Sequence, residues 1–392
     1  MRGVYLCCLL LTLCGARLAC AAVRHVPEEY ATIQAAIDSA VNGDTVLVAP
    51  GDYDGGINFA GKGIYLKSAA GPSQTTLRRS EGGQVVFLYT DDHDASIEGF
   101  TIAANTAGTG WAIKVYLSHA RIVGNVFTGQ WEFGDYPAVA IDLLEAASPV
   151  IEGNTFGFNR CALAPGSPAG SVIRATAGSS AQVINNVFGR TQCRAIAAEF
   201  TSTSTFTIIN NTFSDNAVGV ALTYSSFTDA SDVVIRNNII AHSATALTAE
   251  STAGTTLSLQ PSIDHNLFFD NFAIVTGLSD PTAGNANVIA DPKFVQMPDI
   301  LRLDIGSPAI SAGSADAAPT LDIVGTARSP SAVDIGAYEW VAGPGIPVFG
   351  ERTPTLTESS GDYQFSILRR EGDSGVLNLL VEAAAGSATG GT

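Results

Sequence analysis

The ten residues TIINNTFSDN, Thr207 to Asn216, place an Asn-Asn pair between strand-forming neighbours. Asparagine is a poor strand former, so its position between aliphatic residues and a phenylalanine needs a physical reason. The pair belongs to a recurring pattern, because similar segments follow one another when the second asparagine is aligned. These segments are SIEGFTI (96–102), RIVGNVF (121–127), VIEGNTF (150–156), VINNVF (183–188), IINNTF (208–213), IRNNII (235–240) and IDHNLF (263–268).

The aligned positions start at Phe100 and are 25, 29, 32, 25, 27 and 28 residues apart. A period of this length indicates a solenoid or an array, and each unit is too short for a four-stranded propeller blade. The pattern predicts coils of two or three short strands. Equivalent strands of stacked coils would then pair about 4.8 Å apart in parallel sheets. Loops of different lengths between the strands explain why the spacing varies.

The aligned asparagine suits a sharp bend between strands, because asparagine tolerates left-handed backbone angles. Its amide group is also suited to hydrogen bonds with the equivalent amides of the coils above and below. We predict that the apolar residue two positions later points inward and stacks on its counterparts. A residue that recurs in every coil is expected to serve the coil and not a ligand. The predicted structural ladder comprises Asn125, Asn154, Asn186, Asn211, Asn238 and Asn266.

The segment that begins EEYATIQAAIDSAV predicts a short helix at the start of the repeat. An open solenoid end exposes unpaired strand edges and its apolar core, so it needs a cover. We therefore expect this helix to cap the first coil. Its predicted apolar face, at helical spacing, is Ile33, Ala36, Ile37, Ala40 and Val41.

The composition excludes several classes of protein. The 392 residues are 46% hydrophobic and 15% charged, which is typical of a packed globular protein and not of a disordered one. A formal net charge of −17, with four lysines, gives no electrostatic basis for binding nucleic acid or anionic lipid headgroups. The 40 glycines favour an all-β chain with many turns.

The first residues have the form of a secretion signal. Arg2 precedes the apolar run VYLCCLLLTLCG and the small residues ACAA, and the run is too short to span a bilayer. We predict a signal peptide over residues 1–21 and a secreted or cell-surface location, with no transmembrane segment. The mature chain keeps two cysteines, Cys161 and Cys193, seven residues after their ladder asparagines. This placement predicts adjacent coils, where a disulfide and two free thiols remain alternatives.

The opening YATIQAAIDSAVNGDTVLVAPGDY and the following GKGIYLKSAAGPSQTTL resemble right-handed parallel β-helix proteins of the pectin-lyase-like superfamily. The far end agrees, since ADPKFV, LRLDIGSPAISAG and SAVDIGAYEW resemble the closing coils of secreted bacterial proteins of this class. Ser311 departs from that pattern, which usually has aspartate. The resemblance implies a right-handed parallel β-helix over residues 22–340, and this fold hosts lyases, hydrolases, esterases and adhesins.

The composition changes after Trp340. Residues 341–354, rich in proline and glycine, are expected to be a linker. Residues 355–392 resemble the first strands of a Calx-beta domain, including the segment GSATGGT, and such domains often bind Ca²⁺. These residues supply two or three strands, too few for a complete sandwich core. We therefore expect an incomplete β-sandwich segment here, and a longer natural protein.

The known catalytic motifs of the superfamily are missing. The chain lacks the paired aspartates of pectin methylesterases and the Gly-His-Gly motif of polygalacturonases. SIDHN (262–266) is similar to a pectate lyase segment, but His265 falls in the repeat frame, which favours a structural role. The acidic cluster Asp91, Asp92 and Asp94 is either a solvated turn or a Ca²⁺ site. Calcium is the one cofactor that the sequence suggests.

The segment GQWEFGDYPA (129–138) is the strongest candidate for binding. It combines aromatic rings with carboxylates, while Trp111 and Tyr116 precede it by one coil. Exposed aromatics beside carboxylates suit the stacking and hydroxyl recognition of a glycan. The alternative is that these rings fold back over the sheet. The predicted glycan-binding residues are Trp131, Glu132, Asp135 and Tyr136.

Two functions follow as expectations. The first is a non-catalytic module that binds polysaccharide or a surface protein along its face. The second is a polysaccharide lyase or glycoside hydrolase with a divergent site. A cluster of carboxylates with Arg, Lys or His on one outer sheet face would favour the second.

Overall fold

The computed structural model describes residues 21–79, 83–89, 94–103, 111–129, 139–157, 170–176, 178–200, 204–224, 232–251, 261–296, 300–349, 367–370 and 376. Within these residues the chain winds through three parallel sheets, in the order sheet I, sheet II, sheet III. The predicted parallel β-solenoid is therefore confirmed.

Sheet I precedes the asparagine corner of each coil. Its strands, in spatial order, are β1 (Val23–Val26), β2 (Thr45–Val48), β5 (Tyr65–Ser68), β8 (Ser96–Glu98), β11 (Arg121–Val123), β14 (Val150–Glu152), β17 (Ala181–Ile184), β20 (Thr205–Ile209), β23 (Asp232–Arg236) and β26 (Ser262–Asp264).

Sheet II follows the corner. Its strands are β3 (Gly51–Asp54), β6 (Thr75–Arg78), β9 (Thr101–Ala103), β12 (Val126–Thr128), β15 (Thr155–Gly157), β18 (Val187–Gly189), β21 (Thr212–Ser214), β24 (Ile239–Ala241), β27 (Leu267–Phe269) and β29 (Val288–Ile289).

Sheet III completes the coil. Its strands are β4 (Ile57–Asn58), β7 (Val86–Tyr89), β10 (Ile113–Tyr116), β13 (Val139–Leu144), β16 (Ser171–Ala175), β19 (Arg194–Phe200), β22 (Val218–Tyr224), β25 (Thr245–Ser251) and β28 (Ala273–Thr276).

The asparagines at the corner between sheets I and II bond from coil to coil. The Oδ1 atom of Asn211 accepts hydrogen bonds from the backbone N–H and from Nδ2 of Asn186, at 2.8 and 3.0 Å. The same pair of bonds joins every step from Asn125 to Asn266 and continues to Asn287. The sequence frame missed Asn287, because the aliphatic strand residues that precede the other ladder asparagines are absent before it.

The left-handed residue of this corner is the one before the ladder asparagine. The prediction that the ladder asparagine itself adopts this conformation is therefore wrong. The ladder side chain needs an ordinary backbone to point along the solenoid axis, and the preceding residue makes the bend. The residues with positive φ at this position are Gly99, Gly124, Gly153, Asn185, Asn210, Asn237, His265 and Ala286.

A column of aromatic rings fills the coil beside the ladder. Phe127, Phe156, Phe188 and Phe213 are fully buried, and successive ring centroids lie 4.6 to 4.8 Å apart in stacked pairs. This spacing matches the distance between paired strands, so each ring rests on the next one. The inward position two residues after each ladder asparagine thus builds a continuous core.

Helix α1 (Ile33–Ser39) covers the first coil. The Thr32 side chain accepts the Ala35 N–H at 3.1 Å and so caps the N-terminus of the helix. Ile33 and Ile37 are buried, as predicted for a cap. Val41 was wrongly included in the apolar face: it lies beyond the helix end and is 53% exposed.

The residues that follow β29, the last strand of sheet II, run back along the outside of the solenoid. Strands β30 (Phe294–Gln296) and β31 (Ile300–Leu303) form an antiparallel hairpin, and residues 304–340, which we call the strap, follow without regular strands. The expected linker contains β32 (Ile346–Phe349), which pairs antiparallel with β33 (Ile367–Arg370). The sequence IPVF has strand propensity, so the expected linker includes one short strand. Within the described ranges, no helix has the length and apolar character to cross a bilayer.

Candidate functional site

The outer face of sheet III carries aromatic and charged side chains in rows. In β7, Val86 and Leu88 are buried whereas Tyr89 is exposed, so alternate side chains face outward. Parallel pairing aligns equivalent outward residues of successive coils. One row, the ionic row, consists of Phe87, Lys114, Asp142 and Arg174; the second, the aromatic row, consists of Tyr89, Tyr116 and Leu144.

The aromatic row begins with two stacked tyrosines. The ring centroids of Tyr89 and Tyr116 are 5.3 Å apart with 26° between their planes, and Phe87 lies 5.6 Å from Tyr89. Beside them, the Lys114 ammonium sits 4.3 Å from the centroid of the Trp111 ring. Two neighbouring coils therefore present a patch of four rings on one face.

The ionic row places a buried carboxylate next to this patch. Asp142 is 1% exposed, and its two oxygens accept hydrogen bonds from Nε and Nη2 of Arg174, each at 2.8 Å. A buried carboxylate without such a partner would be strongly unfavourable, so Asp142 requires Arg174. The pair fixes the guanidinium plane, and the Arg174 side chain remains 28% exposed at the surface of the sheet.

The predicted glycan-binding residues Trp131, Glu132, Asp135 and Tyr136 lie outside the described residues. The chain on either side of them is described, since Thr128 ends β12 in sheet II and Val139 starts β13 in sheet III. This segment thus joins the coil that contains Asp142. The other aromatics noted in the sequence, Trp111 and Tyr116, belong to the sheet III face itself.

The acidic cluster falls between β7 and β8. Asp91 and Asp92 lie outside the described residues, whereas Asp94 is exposed with a left-handed backbone. Among the described side chains, no three acidic, histidine or cysteine groups converge in a way that would hold a metal ion. The calcium site remains a prediction.

The ladder asparagines occupy the interior and do not contact solvent. Asn125 is 1% exposed and Asn154, Asn186, Asn211, Asn238 and Asn266 are fully buried. Their amide groups are used by the ladder and by nearby carbonyl groups, such as Asn211 Nδ2 to Val183 O at 2.8 Å. This arrangement leaves a structural role for them.

The SIDHN segment forms a local ion-pair cluster. Arg236 donates two hydrogen bonds to Asp264, at 2.6 and 3.0 Å, and His265 Nδ1 lies 2.8 Å from the same carboxylate. Burial raises the pKa of Asp264, but hydrogen bonds from Arg236, His265 and Ser262 lower it below the usual value. The carboxylate is therefore engaged in holding the corner together.

Cys193 is buried and takes part in a disulfide bond. Its predicted partner Cys161 lies outside the described residues, so the pairing stays a prediction.

Sequence reasoning missed Lys114, Asp142 and Arg174. Lys114 lies in a strand of alternating pattern, whereas the strands of Asp142 and Arg174 are mostly apolar and buried, so the sequence does not show which residues of other coils stand beside them. Loops of unequal length separate the three strands, so the sequence distances between the three residues do not show that they align across the sheet. Strand pairing brings the three residues together.

Comparisons with known proteins agree with this architecture. A family model described as the right-handed beta helix region matches residues 62–230. The crystal structure of pectate lyase Pel9A is similar with a TM-score of 0.50, covering 78% of this chain and 90% of that chain at 14% identity. No curated protein matches the chain significantly. The chain therefore has a right-handed parallel β-helix fold, which it shares with that pectate lyase.

Proposed function

We propose that this protein is a secreted or cell-surface β-helix module that binds polysaccharide along the outer face of sheet III. The observation that carries the proposal is the patch of Phe87, Tyr89, Trp111 and Tyr116 beside the Asp142–Arg174 pair. Within the described residues the ionic row holds a single carboxylate, which Arg174 engages, and not the cluster of carboxylates that would favour catalysis. Aromatic faces stack on the apolar faces of sugar rings, and nearby charged groups bond to hydroxyl groups.

Arg174 supplies the polar part of this proposed surface. Asp142 engages Nε and Nη2, which leaves Nη1 as a donor without a hydrogen-bond partner among the described residues. A guanidinium held in one orientation loses little freedom when a ligand binds. We expect a sugar oxygen to accept this bond while its ring rests on the neighbouring aromatics.

The segment with Trp131 and Tyr136 extends the proposal. It enters sheet III at Val139, three residues before Asp142 in the same strand. We propose that its aromatic side chains add a wall to the binding face. The fold neighbour is named a pectate lyase, and pectate is a polysaccharide, which supports this ligand class.

The first experiment measures binding to a panel of polysaccharides by affinity electrophoresis, together with release of unsaturated product, with and without Ca²⁺. We expect retention on at least one polysaccharide and no product. Release of unsaturated sugar would show that the protein is a polysaccharide lyase, which is the alternative function, and not a binding module. Absence of binding to every polysaccharide would overturn the proposal.

The second experiment places the binding surface. Tyr116→Ala should weaken binding at least about fivefold, equivalent to about 1 kcal/mol. Tyr65→Ala is the matched control, because Tyr65 is an exposed tyrosine on sheet I. Equal effects of the two substitutions would refute sheet III as the site. The double variant Trp131→Ala with Tyr136→Ala tests the wall, and unchanged binding to all polysaccharides would exclude it.

A further inference from the structure

The strap, residues 304–340, is attached to the solenoid through a second column of asparagines. Asn185, Asn210 and Asn237 occupy the left-handed corner position, one residue before the ladder. Their Nδ2 atoms donate to strap carbonyl groups: Asn185 to Leu321 at 2.7 Å, Asn210 to Asp334 at 2.9 Å, and Asn237 to Ser314 at 2.8 Å. The three earlier coils have glycine at this position and make no such side-chain contact.

The strap covers the outer face of sheet II next to this column. Ile239 and Leu267 of sheet II pack with Leu303, Ala309 and Ile335 in one apolar cluster. The backbone N–H groups of three strap residues also bond to the solenoid: Ser314 to Asn237 Oδ1 at 2.8 Å, Gly336 to Asn237 O at 2.7 Å and Ala337 to Thr212 Oγ1 at 3.0 Å.

Gly336 allows the closest approach. Its φ is +103°, and a Cβ atom there would lie 2.7 Å from Cδ1 of Ile239 and 3.0 Å from Oγ1 of Thr212. A side chain at this position would strain the positive φ and press on the Ile239 and Thr212 side chains, which weakens the docking of the strap on sheet II.

A buried charge cluster holds the strap in shape. Arg328 donates to Glu339 Oε2 at 3.0 Å, to Asn185 Oδ1 at 2.9 Å and to Gly336 O at 2.8 Å. Its side chain is 1% exposed and that of Glu339 is 6% exposed.

Two further carboxylates share the cluster. Asp334 accepts the N–H groups of Ser311 and Trp340 at 2.7 and 2.6 Å, and it is 2% exposed. Asp322 accepts backbone N–H groups of the strap, including that of Glu339 at 3.0 Å. One guanidinium thus faces three buried carboxylates, so the fully ionised cluster has an excess of negative charge.

We propose that the strap is a pH-dependent latch, docked more firmly in mild acid than at neutral pH because the buried cluster then carries one negative charge less.

The direction follows from Asp334. Burial raises the pKa of its carboxyl to about 6, and the neighbouring Glu339 charge adds to the increase. In an undocked, solvated strap the same group would have an ordinary pKa of about 3.9. Docking therefore takes up a proton between these values. Its stabilising effect is complete below the solvated pKa and is lost as the pH rises through about 6.

The charged groups that face Asp334 belong to the strap itself. Arg328 and Glu339 come from the strap, and the solenoid contributes the uncharged Asn210. At the strap's edges, Asp316 pairs with Arg236 and Asp304 pairs with Arg370.

Hydrogen exchange of the Gly336 and Ala337 amides tests the latch, because both donate to the solenoid. After correction for intrinsic exchange, their protection should fall about tenfold from pH 5 to pH 7.5. The ladder amides of Asn186 and Asn211 serve as internal controls and should not change. Protection of the strap amides that is constant or rises with pH would overturn the proposal.

Asp334→Asn should abolish the pH dependence of strap-amide protection. If protection in this variant falls with pH as it does in the unmodified protein, the latch proposal is also overturned. Gly336→Ala supplies the reference for an undocked strap, with low protection at both pH values. If Asp334→Asn shows the same low protection as Gly336→Ala, the substitution has itself undocked the strap. The carboxyl ¹³C shift of Asp334 is then titrated in the unmodified protein. A midpoint near 6 supports the latch, and a midpoint near 4 refutes it.

Discussion

The two asparagines of each Asn-Asn corner perform different tasks. In TIINNTFSDN, Asn211 is part of the internal ladder, whereas Asn210 adopts the left-handed bend and binds the strap. Glycine satisfies the bend equally well, as in the coils with Gly124 and Gly153, but it offers no side chain to a neighbouring segment. The change from Gly-Asn to Asn-Asn therefore coincides with the coils that the strap covers.

The ladder predicts a large cost for removing one amide. Asn211→Ala should lower the free energy of unfolding by about 3 kcal/mol, because it leaves the buried N–H groups of Asn186 without their acceptor. Thr207→Ala is the control, since Thr207 lies on the partly exposed face of the same coil and should cost at most about 0.5 kcal/mol. Urea unfolding followed by circular dichroism measures both. A loss below about 1 kcal/mol for Asn211→Ala would contradict the ladder's role.

At the scale of elements, regular features were predictable and irregular ones were not. The Phe127–Phe213 stack and the Asn ladder repeat once per coil, so the period alone revealed them. The strap has no period, and its position depends on side-chain contacts between residues far apart in the chain, such as Arg328 and Asn185. The Lys114, Asp142 and Arg174 row was hidden because strand register, not sequence spacing, aligns it.

Helix α1 gives a prediction at this scale. Ile37→Ala should destabilise the first coils by about 2–5 kcal/mol, because Ile37 is fully buried between the helix and the solenoid. Val41→Ala removes a similar side chain from an exposed position and should change stability by at most about 0.5 kcal/mol. Thermal unfolding of the two variants distinguishes a cap from a surface helix. Similar melting temperatures for both would show that the helix is not needed to cover the core.

At the scale of the whole molecule, each coil contacts its two neighbours along the axis. Within the described residues, each strand of sheets I to III pairs with its equivalents in adjacent coils, in parallel register. Stability in such an assembly is close to a sum of coil and interface contributions. A complete coil should therefore be removable. The condition is that the two coils on either side of it can pair with each other in the same register in which each paired with the removed coil.

Deletion of residues 101–125 meets this condition. It joins Phe100 to Val126, so β12 takes the place of β9 against β6, and β14 takes the place of β11 against β8. Sheet III closes in the same way, with β13 beside β7, and Asp142 keeps its partner Arg174. We expect a soluble protein with an unchanged β-sheet spectrum and one cooperative thermal transition at a somewhat lower temperature.

The same deletion removes Trp111, Lys114 and Tyr116 from the proposed binding face, so polysaccharide binding should fall at least about tenfold while the fold persists. Deletion of residues 101–112 is the matched control, because it is shorter but joins sheet I directly to sheet III and omits a strand of sheet II. This half-coil deletion should give aggregated or unfolded protein. If the shorter deletion were tolerated and the complete coil were not, the chain would not behave as a stack of coils with nearest-neighbour pairing.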